Sequence, residues 1–184
     1  MELLPILEPE ERPQSRQWYV VVPTGAGPGV SVGHTCTFLP STDAGKGRIV
    51  IVGGANPDGS FSDSYIINLD AHEWDIPDWV GLQPRYEHCS FVPESDPQSL
   101  WVFAGAEKNG NRNCVQVLRT SETMKWEKVR AKGDVPPGVA AHSSVTFGKN
   151  IFIFGGMTAD GATNAMYKFQ CGTNSHAFYN SSRF

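Results

Sequence analysis

Apolar residues in this chain gather into short runs that stop at small residues, and three of the runs follow one template. They are Ile49-Val50-Ile51-Val52-Gly53-Gly54, Leu100-Trp101-Val102-Phe103-Ala104-Gly105 and Ile151-Phe152-Ile153-Phe154-Gly155-Gly156. Each is rich in β-branched and aromatic side chains, the composition of a buried strand, and ends where only a minimal side chain fits. The second small residue falls at Gly54, Gly105 and Gly156, a period of 51 residues.

Other positions keep the period. A turn dipeptide follows each doublet: Asp58-Gly59, Asn109-Gly110 and Asp160-Gly161. Such pairs tolerate the positive φ of tight hairpins. Upstream, His34, His88 and His142 each open a run of small polar and then apolar residues. Downstream, Trp74 and Trp126 lie 52 residues apart, while the third unit lacks a tryptophan where one is due, near His176 to Phe178. One unit therefore reads as a His-led strand, a turn, an apolar strand, the doublet, an Asp/Asn-Gly loop, a third strand and an aromatic fourth strand. Four strands in about 50 residues with a glycine doublet resemble a blade of the kelch β-propeller family. The fold class expected is all-β, with three four-stranded blades of an incomplete or internally deleted propeller.

The expected blades run about 30–76, 84–128 and 138–170 within a kelch-repeat region of 17–170. Residues 1–16, acidic and broken by proline, read as a flexible tail. Gln17–Val22 carries Trp18 and reads as a closing strand beside Met166–Phe169 of the third unit. Residues 171–184 show no alternation at their start and read as a disordered tail.

Composition narrows the function classes. The 184 residues carry a net charge of −4 and no cluster of lysine and arginine, which disfavours a nucleic-acid partner. No apolar run approaches the ~20 residues that span a bilayer. The N-terminus lacks the basic start and long apolar core of a signal peptide. Cys36, Cys89, Cys114 and Cys171 show no metal-binding spacing and read as free buried thiols in a reducing, cytoplasmic compartment.

His34, His88 and His142 invite a three-histidine metal reading, but one repeat template accounts for all three as packing groups at the start of an inner strand. The doublets Gly53-Gly54 and Gly155-Gly156 lack the following helix and lysine of a phosphate cradle. No nucleophile and base stand out. The reading is therefore non-enzymatic, with no cofactor and no metal. Candidate contacts lie on the loops, which carry function when a rigid scaffold presents them. Asp58, Phe61, Arg85, Tyr86, Lys108, Asn109, Arg112 and Asp160 are the candidate partner-binding rim. His34, Gly53, Gly54, Trp74, His88, Gly105, Trp126, His142, Gly155 and Gly156 are the structural repeat positions.

Several stretches carry a closer resemblance: Val52 to Pro57, Ser60 to Asp63, Pro84 to His88, Gly110 to Leu118, Ala140 to Ser144 and Ile153 to Thr158. Through them the chain resembles the Rab effectors with kelch motifs, as a shortened form lacking the middle repeats. The resemblance implies a cytosolic protein-binding scaffold, peripheral on endosomes through its partners. It implies a late-endosomal Rab GTPase as partner and a role in endosome-to-Golgi transport. The alternatives are a kelch substrate-recognition adaptor for a ubiquitin ligase, a truncated form without function, and a metal-dependent kelch enzyme. Three blades leave apolar faces at both ends of the arc, so self-association through them is also expected.

Overall fold

The computed structural model describes residues 3–120, 124–172 and 175–180, and among these every regular element is a strand. The apolar runs form the second strands of three antiparallel sheets. Blade one is ordered Thr35–Leu39, Arg48–Val52, Ser64–Asn68, Glu73–Asp75. Blade two is ordered Cys89–Phe91, Ser99–Phe103, Val115–Arg119, Glu127–Val129. Blade three has Ser143–Phe147, Asn150–Phe154, Met166–Cys171 and His176–Asn180, with Ala131–Gly133 added in parallel at its outer edge. A two-stranded hairpin tips each blade after the doublet, at Ala55–Ser60, Ala106–Asn111 and Met157–Ala162.

The doublets show why small residues are required there. Their first positions, Gly53, Ala104 and Gly155, have φ of 63°, 59° and 68°. Ala104 thus holds the left-handed geometry at some steric cost. At the second positions, a Cβ on Gly54, Gly105 or Gly156 would lie 3.1, 2.7 or 3.0 Å from the Cβ of His34, His88 or His142. The histidine that opens each inner strand therefore packs directly on the glycine that ends the second strand.

The histidine ring in turn reaches the preceding blade. His88 Nε2 pairs with Thr35 Oγ1 of blade one at 3.0 Å, and its ring sits over Gly53. The His142 ring meets Phe103 of blade two edge-on, with centroids 5.4 Å apart. Among the described residues no blade stands before His34, which is exposed. The three positions are equivalent in the repeat, but their surroundings differ.

Alternation within each sheet divides the core in two. Leu100, Val102, Leu118 and Trp126 of blade two join Leu39, Val50, Val52 and Ile66 of blade one. Trp101, Phe103, Val115 and Val117 face the other way, onto Ile151, Ile153, Phe169 and Phe178 of blade three. Every residue of Ser99–Phe103 is consequently buried. The outer faces of the end blades lack such cover: Phe38 is 53% exposed, Phe154 52% and Phe147 72%. Neither core cluster joins blade three to blade one among the described residues. No helix among the described residues is long and apolar enough to cross a membrane.

Three expectations differ from the structure, two of them for the ends of the chain. His176–Asn180 forms the fourth strand of blade three, where a disordered tail is expected from 171. Phe178, 1% exposed, takes the place of the missing tryptophan, 52 residues after Trp126. An aromatic ring serves the slot whether or not it is an indole, and burying it contributes about 1.5–3 kcal/mol. Residues 173–174 and 181–184 of that expected tail lie outside the described residues. The Gln17–Val22 segment does not join blade three, because both edges of Met166–Cys171 are already paired. Val20 instead bridges Ile6, which also draws part of the expected flexible tail alongside it. Finally, Cys89 and Cys171 are buried and Cys114 half-buried, but Cys36 is exposed on the free face of blade one.

A further repeat emerges only in three dimensions. Thr24 and Ala131–Gly133, in the segments entering blades one and three, pair in parallel with the outer strand of the blade that follows, and Val80 bridges Lys125 in parallel just before the outer strand of blade two. Gly25, Gly81 and Gly133, with φ of 87°, 89° and 81°, lie against Trp74, Trp126 and Phe178.

Gly156→Val should destabilise the fold by ~1–3 kcal/mol, since its Cβ would meet Ala140 O at 2.6 Å and Val139 Cγ2 at 2.8 Å. Asp160→Ala, on an exposed hairpin tip, should stay within about ±0.5 kcal/mol. Paired thermal melts check both, and equal losses would contradict the assignment of core and tip.

Burial pushes His88 down to about 3, helped by the nearby Arg85 charge, and pushes His142 down to about 4. Below the ordinary value of 6.5, the unfolded chain therefore binds more protons than the folded one. Stability should be highest above pH 6.5 and fall as pH drops toward 4, by up to about 1.4 kcal/mol per pH unit for each histidine. Urea midpoints measured at pH 7.5 and pH 5 test this; equal midpoints would contradict it.

Candidate partner-binding rim

The three hairpins rise from equivalent places, each leaving two residues at its tip. The turns are built locally. Asn56 Oδ1 accepts from the Asp58 and Gly59 amides at 2.9 and 3.2 Å, and Thr158 Oγ1 accepts from the Asp160 amide at 3.2 Å. Asp58, Lys108, Asn109 and Asp160 are exposed at or beside these tips. The second and third hairpins are tied together, since Asn111 Nδ2 donates to Met157 O at 2.8 Å. The rim therefore presents two acidic side chains, one basic side chain and one amide from three turns.

The other rim candidates are less free. Arg112 is half-buried, paired with Glu107 at 3.4 Å, and its Nε donates to Pro84 O at 3.2 Å. Tyr86 is half-buried, and its backbone pairs with Ala106 of the second hairpin. The Phe61 ring lines a recess beside blade one and does not stand on the tip. Arg85 lies inside the protein and is 0% exposed, so its side chain is not available on the rim. Its Nη1 donates to Ala104 O at 3.0 Å, Nε to Gln83 O at 3.1 Å and Nη2 to Gln116 Oε1 at 2.6 Å. Desolvation lowers its pKa, and none of these partners is a carboxylate. The Arg-Tyr pair before the histidine reads as an interface anchor in sequence, but the arginine turns inward to buried carbonyl and amide acceptors.

The recess beside Phe61 has a volume of about 230 Å³ and is lined by Ser31, Ile51, Gly53, Asp63 and Tyr65, among others. The sequence reading missed it. The signal was the position three residues before each histidine, where Ser31, Arg85 and Val139 differ in size.

The histidines do not converge on a metal geometry. Neither ring nitrogen of His142 has a hydrogen-bond partner, and Nδ1 of His88 lacks one. Among the described residues, no three His, Cys, Asp or Glu side chains come together to hold an ion. Burial raises the Cys89 thiol to about 11 and the Cys171 thiol to about 12, which holds both protonated and unreactive at neutral pH.

Comparison with known proteins agrees with this architecture. The Rab9 effector protein with kelch motifs of Danio rerio is 61% identical over 167 residues, covering 85% of this chain and 48% of the relative. The protein of the same name from Homo sapiens is 44% identical over 158 residues, covering 85% of this chain and 42% of the relative. The chain thus spans about half the length of the curated relatives it matches. A solved structure titled "Structure of YjhT" superposes with a TM-score of 0.72 at 15% identity, covering 91% of this chain and 56% of the other, a likeness of fold alone. The family described as the KLHDC2/KLHL20/DRC7 Kelch-repeats domain matches residues 33–182. With that match covering all three blades, the chain belongs to the kelch-repeat family.

Proposed function

We propose that this chain is a non-enzymatic scaffold that binds a protein partner through its hairpin rim, and that the partner is a Rab GTPase of the late endosome. The observation that carries the reading is the 61% identity over 167 residues to a relative named as a Rab9 effector. The rim supports it with charged side chains of both signs on rigid turns, an arrangement suited to steering and orienting a folded partner. In this reading the protein works in the cytoplasm, reaches endosomal membranes through its partner, and serves transport from endosomes to the Golgi.

The expected result is retention of Rab9 by the immobilised 184-residue chain when the GTPase carries a non-hydrolysable GTP analogue, and much weaker retention with GDP. Lys108→Glu combined with Asp160→Lys, both at exposed tips, should reduce retention without shifting the melting temperature. Equal retention in both nucleotide states, or none in either, would sink the Rab reading.

Self-association belongs to the same proposal. Phe147, Phe154 and Val145 on blade three and Phe38 on blade one are the exposed residues of faces that, elsewhere in this chain, are covered by a neighbouring blade. Light scattering should find a species larger than the monomer, reduced by Phe154→Asp. A monodisperse monomer at high concentration would show that the faces stay free.

A further inference from the structure

The repeat template places one residue three positions before each inner-strand histidine: Ser31, Arg85 and Val139. In blade two, Arg85 turns under its own linker and fills a slot between the doublet and the third strand. There its guanidinium donates to the Ala104 carbonyl and to Gln116 Oε1, with Cys114 Sγ 3.5 Å from Nη2. In blade three, Val139 occupies the equivalent place, and a cavity of only about 20 Å³ remains beside Ile153, Gly155 and Tyr167. In blade one, Ser31 is too short to fill the slot, which is why the recess there measures about 230 Å³.

A shift of 51 residues lays one slot on the other. Gly53 stands where Ala104 does, Asp63 where Cys114 does, and Tyr65 where Gln116 does. The backbone agrees, because the Gly53 amide donates to Asp63 O at 3.0 Å as the Ala104 amide donates to Cys114 O at 3.1 Å. Blade one therefore carries acceptor-bearing side chains at the equivalent chain positions, with a carboxylate in place of a thiol and a phenol in place of an amide. Phe61, Tyr65 and Ile51 supply aromatic and apolar walls to the recess, half-buried, while Asp63, exposed, also lines it.

We propose that this recess is an arginine-receiving site, taking the side chain of a partner polypeptide where Arg85 sits in blade two. A planar guanidinium suits it on three counts. It can engage Asp63 through a charge-assisted, bidentate contact, stack on the rings of Phe61 and Tyr65, and donate in several directions at once. A lysine ammonium has neither the plane nor the fork. The inference does not depend on the partner being a GTPase, and its test is separate from Rab retention.

The test is an amide-shift NMR titration of the 184-residue chain with the acetylated, amidated tripeptide Gly-Arg-Gly and with its lysine counterpart. Shifts should centre on Ser31, Phe61, Asp63 and Tyr65, and the lysine peptide should bind at least about tenfold more weakly. Asp63→Asn, at an exposed position, should weaken the arginine peptide by about tenfold. Ser31→Arg, which copies the layout of blade two within the chain, should abolish peptide binding and raise the melting temperature. Equal response to both peptides, shifts centred elsewhere, or full binding by a folded Ser31→Arg variant would each overturn the proposal.

Discussion

The approach of a glycine to a histidine Cβ, repeated at Gly54 and His34, Gly105 and His88, and Gly156 and His142, is the contact on which the rest of the arrangement depends. It holds the start of each inner strand against the end of the second. The same glycines also set the spacing between blades, since the Gly54 amide donates to Arg85 O and the Gly105 amide to Val139 O, both at 2.9 Å. One position thus fixes a contact within a blade and a contact to the next. A side chain there would disturb both, so the doublet is the least substitutable part of the template.

From that spacing follows the division of the core. A blade is a thin sheet with two apolar faces, and it is buried fully only when a neighbour stands on each side. Blade two meets this condition, and its second strand is buried throughout. Blades one and three meet it on one face each. The histidines report the same asymmetry: His88 and His142 lean on the blade before them, while His34 faces solvent.

Near-identity of the repeats also makes their differences informative. Where the template is kept, blades superpose in role; where one residue changes size, as in Ser31, Arg85 and Val139, the space beneath the linker opens or closes. Arg85 shows the physical limit of reading exposure from residue type. A guanidinium looks like a surface group, yet backbone carbonyls and an amide oxygen satisfy it inside the protein. Burial of such a group is tolerated only because its donors are met.

What the sequence determined by itself was everything that repeats at short range. Strand runs, hairpin tips at Asp58, Asn109 and Asp160, and the doublets are set by side-chain alternation and backbone freedom, which each segment carries locally. Of the candidate rim, the exposure of Asp58, Lys108, Asn109 and Asp160 follows from their turn chemistry, whereas Phe61, Tyr86 and Arg112 are half-buried and Arg85 is buried. Tertiary structure alone decided which positions meet across blades. It turned Arg85 inward, put Phe178 in the slot of a tryptophan, left His34 and Cys36 uncovered, and opened the recess above Tyr65. The physical reason is that burial depends on the neighbouring blade, and no residue encodes on its own what will be packed against it.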